Sequence, residues 1–253
     1  MANETEKAEG AGVRFAPDGA WDLVICNGMI RSASTWSYNV ALQLMRAAAG
    51  AAVYGDYSED TQAFLDAAPA GTRYRVLKCH MLDATARGLI AEGRVKVIYT
   101  CRDLADAAAS FMRMFQYDFE HTLLALQGAL DLYKLHRENG KALIVGYRGV
   151  TEQPLEAIGR IAGYLGIAAP PEVLSEIGKR TSLESSRARV EDLKSGVDAD
   201  KLVRFDRFAH DRETLLNLDH IRDGRSGYGR ALLTEEQRSR IDALAEQYHF
   251  RAE

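Results

Sequence analysis

Residues 21–36 read WDLVICNGMIRSASTW. The apolar run Leu23-Val24-Ile25-Cys26 suits a buried strand. From Ser34 to about Ala49 the composition is helical, with Trp36, Val40 and Leu44 on one side. Between the two, Gly28 to Trp36 has the outline of a phosphate-binding loop. The form that grips a nucleoside triphosphate is G-x-x-x-x-G-K-[ST]: backbone amides cradle the phosphates, the lysine reaches the β/γ pair and the hydroxyl binds magnesium. On that frame Gly28 is the first glycine and Thr35 the hydroxyl, but Ala33 stands at the second glycine and Ser34 at the lysine. The cation sits upstream instead, at Arg31. Amides at a helix start still attract an oxyanion, whereas triphosphate cleavage loses its main support. Such a loop suits a ligand with a single 5′-phosphate that carries another charged group.

Working outward, RYRVLKCH (73–80), VKVIYTCR (95–102) and KALIVGY (141–147) are further β-rich runs. Helical patterns follow, one opening at the N-cap Asp103, one over LEAIGRIAGYLGI (155–167), and a last one at Thr234, whose spacing to Gln237 makes a capping box. This alternation implies an α/β fold: a mostly parallel central sheet flanked by helices on both faces. Ligands of such sheets gather beyond the carboxyl ends of the strands. The residues expected there are Gly28 to Trp36, Lys78 to His80, Arg102 with Asp103, and Tyr147. The run FMRMFQYDF (111–119) reads as an amphipathic helix, or else as the apolar wall of an acceptor pocket. Residues 1–18 read as a polar tail and 19–253 as one domain. The charge-mixed stretch 179–231 within it reads as partly irregular, a solvated face or a lid over a site.

With 253 residues the chain can bury a full core. Its 32 basic and 36 acidic residues leave a net charge of −4, which argues against a general nucleic-acid or membrane-surface binder. Cys26, Cys79 and Cys101 form no CxxC pair, so buried thiols in a reducing, cytoplasmic setting are expected rather than a disulfide framework. No apolar stretch reaches membrane-spanning length. A homo-oligomer stays open.

The loop GMIRSASTW resembles the 5′-phosphosulfate loop of the sulfotransferases that use 3′-phosphoadenosine 5′-phosphosulfate (PAPS), where a Lys or Arg and Ser-Gly-Thr/Ser-Thr-Trp follow the first strand. VKVIYTCRDLADAAASF (95–111) is similar to that family's 3′-phosphate segment, with Arg102 and Ser110 in the matching positions. KCH (78–80) resembles its Lys-x-His element. VGYRGVTEQPLEAIGRIAGYLGI (145–167) and IRDGRSGYGRALLTEEQ (221–237) resemble two later segments, in family order. The chain departs from the pattern at Ile30 (usually Pro), Ala33 (Gly), Arg148 (Glu), Asp223 (Lys) and Tyr228 (Trp). The resemblance implies a three-layer α/β/α fold like that of the P-loop NTPases. It also implies sulfuryl transfer from PAPS to a hydroxyl or amine of a small-molecule, glycolipid or saccharide acceptor, leaving adenosine 3′,5′-bisphosphate (PAP), with no metal required.

The roles it implies are specific. Arg31 neutralises charge on the leaving oxygen, Lys78 holds the sulfuryl oxygens and His80 takes the acceptor's proton. Ser32, Ala33, Ser34 and Thr35 line the 5′-phosphate, Trp36 stacks on adenine and Tyr147 lies near the nucleotide. Arg102, Ser110, Arg222 and Gly224 bind the 3′-phosphate, with Arg225 a substitute for the lysine that Asp223 replaces. Two other readings stand beside this one: a kinase with a degenerate loop, and a protein of this fold that binds nucleotide or a partner without turnover.

Overall fold

Leu23 to Gly28 are buried at every position, which requires cover on both faces and neighbours on both edges. The computed structural model, which describes residues 12–205, 208–219 and 224–252, supplies both. The strands are β1 (Arg14–Phe15), β2 (Leu23–Gly28), β3 (Val53–Tyr57), β4 (Tyr74–Lys78), β5 (Val95–Cys101), β6 (Leu143–Gly146), β7 (Ile167–Ala168), β8 (Leu202–Phe205) and β9 (Phe208–Asp211). The helices are α1 (Ser34–Ala49), α2 (Thr61–Asp66), α3 (Ala84–Ala91), α4 (Leu104–Phe115), α5 (Phe119–Asn139) and α6 (Tyr147–Glu152). After them come α7 (Pro154–Tyr164), α8 (Pro171–Arg180), α9 (Leu183–Ser195), α10 (Gly229–Leu232) and α11 (Glu235–Gln247).

The central sheet has five strands in the order β3-β4-β2-β5-β6, all parallel. Because side chains alternate along β2, its faces divide cleanly. Val24 and Cys26 join Val76 and Ile98 under α1 and α7, through Tyr38, Leu44, Ile158 and Ile161. Leu23 and Ile25 join Leu77, Val97 and Tyr99 under α4, α5 and α11, through Ala108, Leu130 and Ile241. The result is the expected three-layer arrangement. Asp103 caps α4 by accepting the amide of Asp106 at 2.9 Å, and Thr234 with Gln237 forms the reciprocal capping box of α11, both as the sequence predicts.

Four features depart from expectation. Strand β3, VYGDY, lies at the sheet edge where no strand is evident in the sequence, since Gly55 and Asp56 dilute its apolar pattern. Gly55 lets the strand pass close to α1, since a Cβ there would stand 2.7 Å from a Leu42 methyl and 2.9 Å from the Tyr38 hydroxyl. Residues 111–119 are not one helix. Gln116 takes a left-handed conformation (φ 55°) that ends α4, and Asp118 caps the start of α5. The polar tail stops short of residue 18, because β1 pairs antiparallel with β7 and buries Phe15 against Trp21 and Tyr74. Finally, 179–231 is more regular than its charge pattern suggests, holding α9 and the β8–β9 hairpin. Arg189 of α9 ties the two together through a bidentate pair with Asp211 and a further bond to Asp198.

Candidate functional site

The register of the sheet brings four chain reversals to one edge. Lys78 closes β4 and Gly28 closes β2, with Cys26 opposite Lys78 and Gly28 opposite Thr100. Arg102 follows β5 and Tyr147 follows β6, where Cys101 pairs with Gly146. The groups expected at the strand ends are therefore neighbours.

The loop after β2 is held to β5. Met29 N–H donates to the Thr100 carbonyl at 2.9 Å. The Ser32 hydroxyl lies 2.6 Å from the Met29 carbonyl, 3.0 Å from that of Thr100 and 2.7 Å from the Thr100 hydroxyl. Ser32 is 1% exposed, so its side chain braces the loop from within instead of lining the cradle. Arg31 and Ala33 both adopt left-handed backbone (φ 63° and 72°), a conformation costing roughly 1–2 kcal/mol for a residue with a Cβ. Ala33 thus occupies a glycine-like conformation and is the N-cap of α1, with no side chain capping the helix. The amides of Ser34, Thr35 and Trp36 begin the helix without intrahelical acceptors, and its dipole adds partial positive charge there. Trp36 itself is half-buried against the first core cluster.

Two arginines converge on this loop. Arg31 Nε donates to the Ser110 hydroxyl at 3.0 Å, and Arg102 Nη1 donates to the Arg31 carbonyl at 3.3 Å. Arg102 Nη2 donates to the Arg225 carbonyl at 2.7 Å and lies 3.5 Å from Asp106 Oδ2. Its guanidinium stands 3.9 Å over the Tyr147 ring, so Tyr147 acts first as a stacking platform for the arginine. Tyr228 flanks it at 5.7 Å. Arg102 is 6% exposed, and its Nε has no partner among the described residues. Burial, then the charge of Arg102, pulls the Arg31 pKa down to about 10. Buried cations in mutual repulsion favour an anion between them.

On the other side of β2, Lys78 Nζ lies 3.3 Å from His80 Nε2. Burial lowers the Lys78 pKa to about 8. The Lys78 charge first, and then burial, lower that of His80 to about 3, so the imidazole is neutral at physiological pH. Glu59, beyond the end of β3, accepts the amides of His80 and Met81, both at 2.9 Å, and the Tyr57 hydroxyl at 2.8 Å. It fixes the turn that presents the histidine. The three cysteines are buried, and burial pushes the Cys79 thiol up to about 12, which removes it as a nucleophile.

Beyond Arg102 opens a cavity of about 580 Å³ whose lining includes Arg102, Asp106, Tyr147, Gly224, Arg225 and Gly227. Its size suits a small ligand. A smaller cavity of about 340 Å³, between the C-terminal ends of α3 and α5, opens at the opposite edge of the sheet. Gly224 lines this cavity, while Arg222 and Asp223 lie outside the described residues. Among the described residues no group of three His, Cys, Asp or Glu side chains is assembled to hold a metal, and no helix is long and apolar enough to cross a membrane.

Gly229 seats the C-terminal segment on α4. A Cβ there would fall 2.3 Å from the backbone of Ala105, which cannot move without displacing the helix. Gly229→Ala is expected to cost about 1–3 kcal/mol of stability. A urea denaturation midpoint equal to wild type would contradict this packing.

Fold and site together define a P-loop-like α/β protein whose loop after β2 lacks the lysine of a triphosphate-binding loop. The chain belongs to the sulfotransferase domain family, whose model matches residues 29–247. Among solved structures it is similar to mouse sulfotransferase SULT7A1 complexed with PAP, at 16% identity and a TM-score of 0.67, over 98% of this chain and 96% of that one. It is also similar to retinol dehydratase in complex with androsterone and the inactive cofactor PAP, at 17% identity and a TM-score of 0.64, over 90% of this chain and 80% of that one. At such identities the likeness concerns the fold. No curated protein matches the chain in sequence.

Proposed function

We propose that the protein transfers a sulfuryl group from PAPS to a hydroxyl or amine of a small-molecule, glycolipid or saccharide acceptor, releasing PAP. The observation that carries this reading is the convergence of Arg31 and Arg102 on the loop before α1, where Arg31 Nε donates to the Ser110 hydroxyl of α4 and Arg102 Nη1 donates to the Arg31 carbonyl. One nucleotide with phosphates at both ends of its ribose can engage both arginines. Family membership and the PAP held by the similar structures agree with it.

Sulfuryl transfer needs positioning and charge stabilisation more than covalent participation by the protein. The amides of Ser34 to Trp36 hold the 5′-phosphate, and Arg31 stabilises charge growing on the oxygen that leaves with PAP. Lys78, in contact with His80 while the donor is absent, turns to the sulfuryl oxygens. That frees His80 Nε2 to accept the proton from the acceptor hydroxyl as the new S–O bond forms. The rings of Phe111, Phe115, Tyr117 and Phe208 pack together next to Ser110, with Phe115 and Phe208 5.5 Å apart, and suit an acceptor with an apolar body. The buried thiols fit a reducing, cytoplasmic location.

A transfer assay with sulfate-labelled PAPS over hydroxyl and amine acceptors, run with and without EDTA, tests the proposal. Labelled product and PAP release insensitive to EDTA are the expected results. Phosphoryl transfer from ATP with no sulfuryl transfer would overturn it.

A further inference from the structure

We infer that Asp106 is a positioning residue that joins the glycine-rich turn at 224–229 to Arg102 and so sets the preference for a second phosphate; this rests on the nucleotide site proposed above. Asp106 is 1% exposed, in the first turn of α4. Its Oδ1 accepts the Gly229 amide and its Oδ2 the Gly227 amide, each at 2.7 Å, and Oδ2 also faces Arg102 Nη2. Arg102 in turn donates to the carbonyl of Arg225, inside the same turn. Carboxylate, turn and guanidinium therefore close a ring, and all three line the 580 Å³ cavity.

The ring fixes Arg102 from several directions. The Arg31 carbonyl, the Arg225 carbonyl, Asp106 and the Tyr147 face leave its Nε as the donor without a partner among the described residues. A guanidinium held this way loses little rotamer freedom when a phosphate arrives. A carboxylate is also required chemically. Both Asp106 oxygens accept amides, and an asparagine would set its own NH₂ against one of those N–H groups, leaving two donors face to face in a buried site.

Asp106→Asn tests the inference by calorimetry with PAP and with adenosine 5′-monophosphate, which lacks the 3′-phosphate. PAP affinity is expected to fall about 10- to 100-fold while affinity for the monophosphate changes little. Equal losses for both ligands, or none for either, would overturn the role. Should the variant fail to fold, hydrogen exchange on the wild-type protein decides: the Gly227 and Gly229 amides are expected to be protected, and exchange at unprotected rates would contradict the ring. If the wild type itself does not prefer PAP to the monophosphate, it is the nucleotide site that fails, and this inference with it.

Discussion

His80→Ala is expected to lower turnover by about 10²- to 10⁴-fold, the usual contribution of a positioned general base, and to leave PAP affinity essentially unchanged. The charge of Lys78 first, and then burial, lower the His80 pKa to about 3, so the imidazole is neutral and one ring nitrogen is open to a proton. The His80 amide is clasped by Glu59 and its ring faces Lys78, while the charge of Arg31 is the smallest of the three influences on its pKa. Removing it should therefore spare the nucleotide. Full turnover in the variant would exclude His80 as the base; a large loss of PAP binding would move it into the nucleotide site. The pH profile follows from the same pair. kcat/KM reports the free enzyme, so its acid limb should lie well below the ordinary histidine value near 6.5. On the alkaline side, burial lowers the Lys78 pKa to about 8, and activity should fall above that pH as the lysine loses the charge proposed to hold the sulfuryl oxygens.

Arg102→Ala is expected to weaken PAP binding by about 100-fold, since charge-assisted hydrogen bonds contribute about 1.5–3 kcal/mol each. Arg102→Lys should recover little of it. An ammonium cannot bridge the Arg31 and Arg225 carbonyls, nor stack flat on Tyr147, while presenting a further donor to a phosphate. Calorimetry on both variants checks this. Wild-type affinity in Arg102→Ala would remove the second phosphate contact from the account.

Much of this was legible in the sequence, for physical reasons that can be named. Leu23 to Cys26 reads as a strand because a run buried on both faces must be apolar throughout. Arg31, Lys78, His80 and Arg102 stand out because a charged or polar side chain at the end of a buried strand needs a partner there. What stayed hidden depended on pairing at a distance. Strand β3 is disguised by Gly55 and Asp56, and Glu59, which grips the His80 turn, goes unnoticed with it. Asp106 looks like any acid in a helix's first turn until the Gly227 and Gly229 amides arrive from the far end of the chain. Ser32 fits the pattern of a phosphate loop, yet its hydroxyl is consumed by Met29 and Thr100, a partnership set by how β5 lies beside β2. Ala33 reads as an unwelcome methyl in place of glycine. The structure shows why glycine would suit the position: the N-cap of α1 takes a left-handed backbone, which Ala33 adopts at a cost in strain.

The measurement that bears most directly on the account is calorimetric comparison of PAP, adenosine 5′-monophosphate and ATP on the wild-type protein, with and without magnesium. A cradle at the start of α1 joined to the Arg102 clamp should bind PAP about 100-fold more tightly than the monophosphate and should bind ATP weakly, with no help from magnesium. Magnesium-dependent binding of ATP tighter than that of PAP would contradict it.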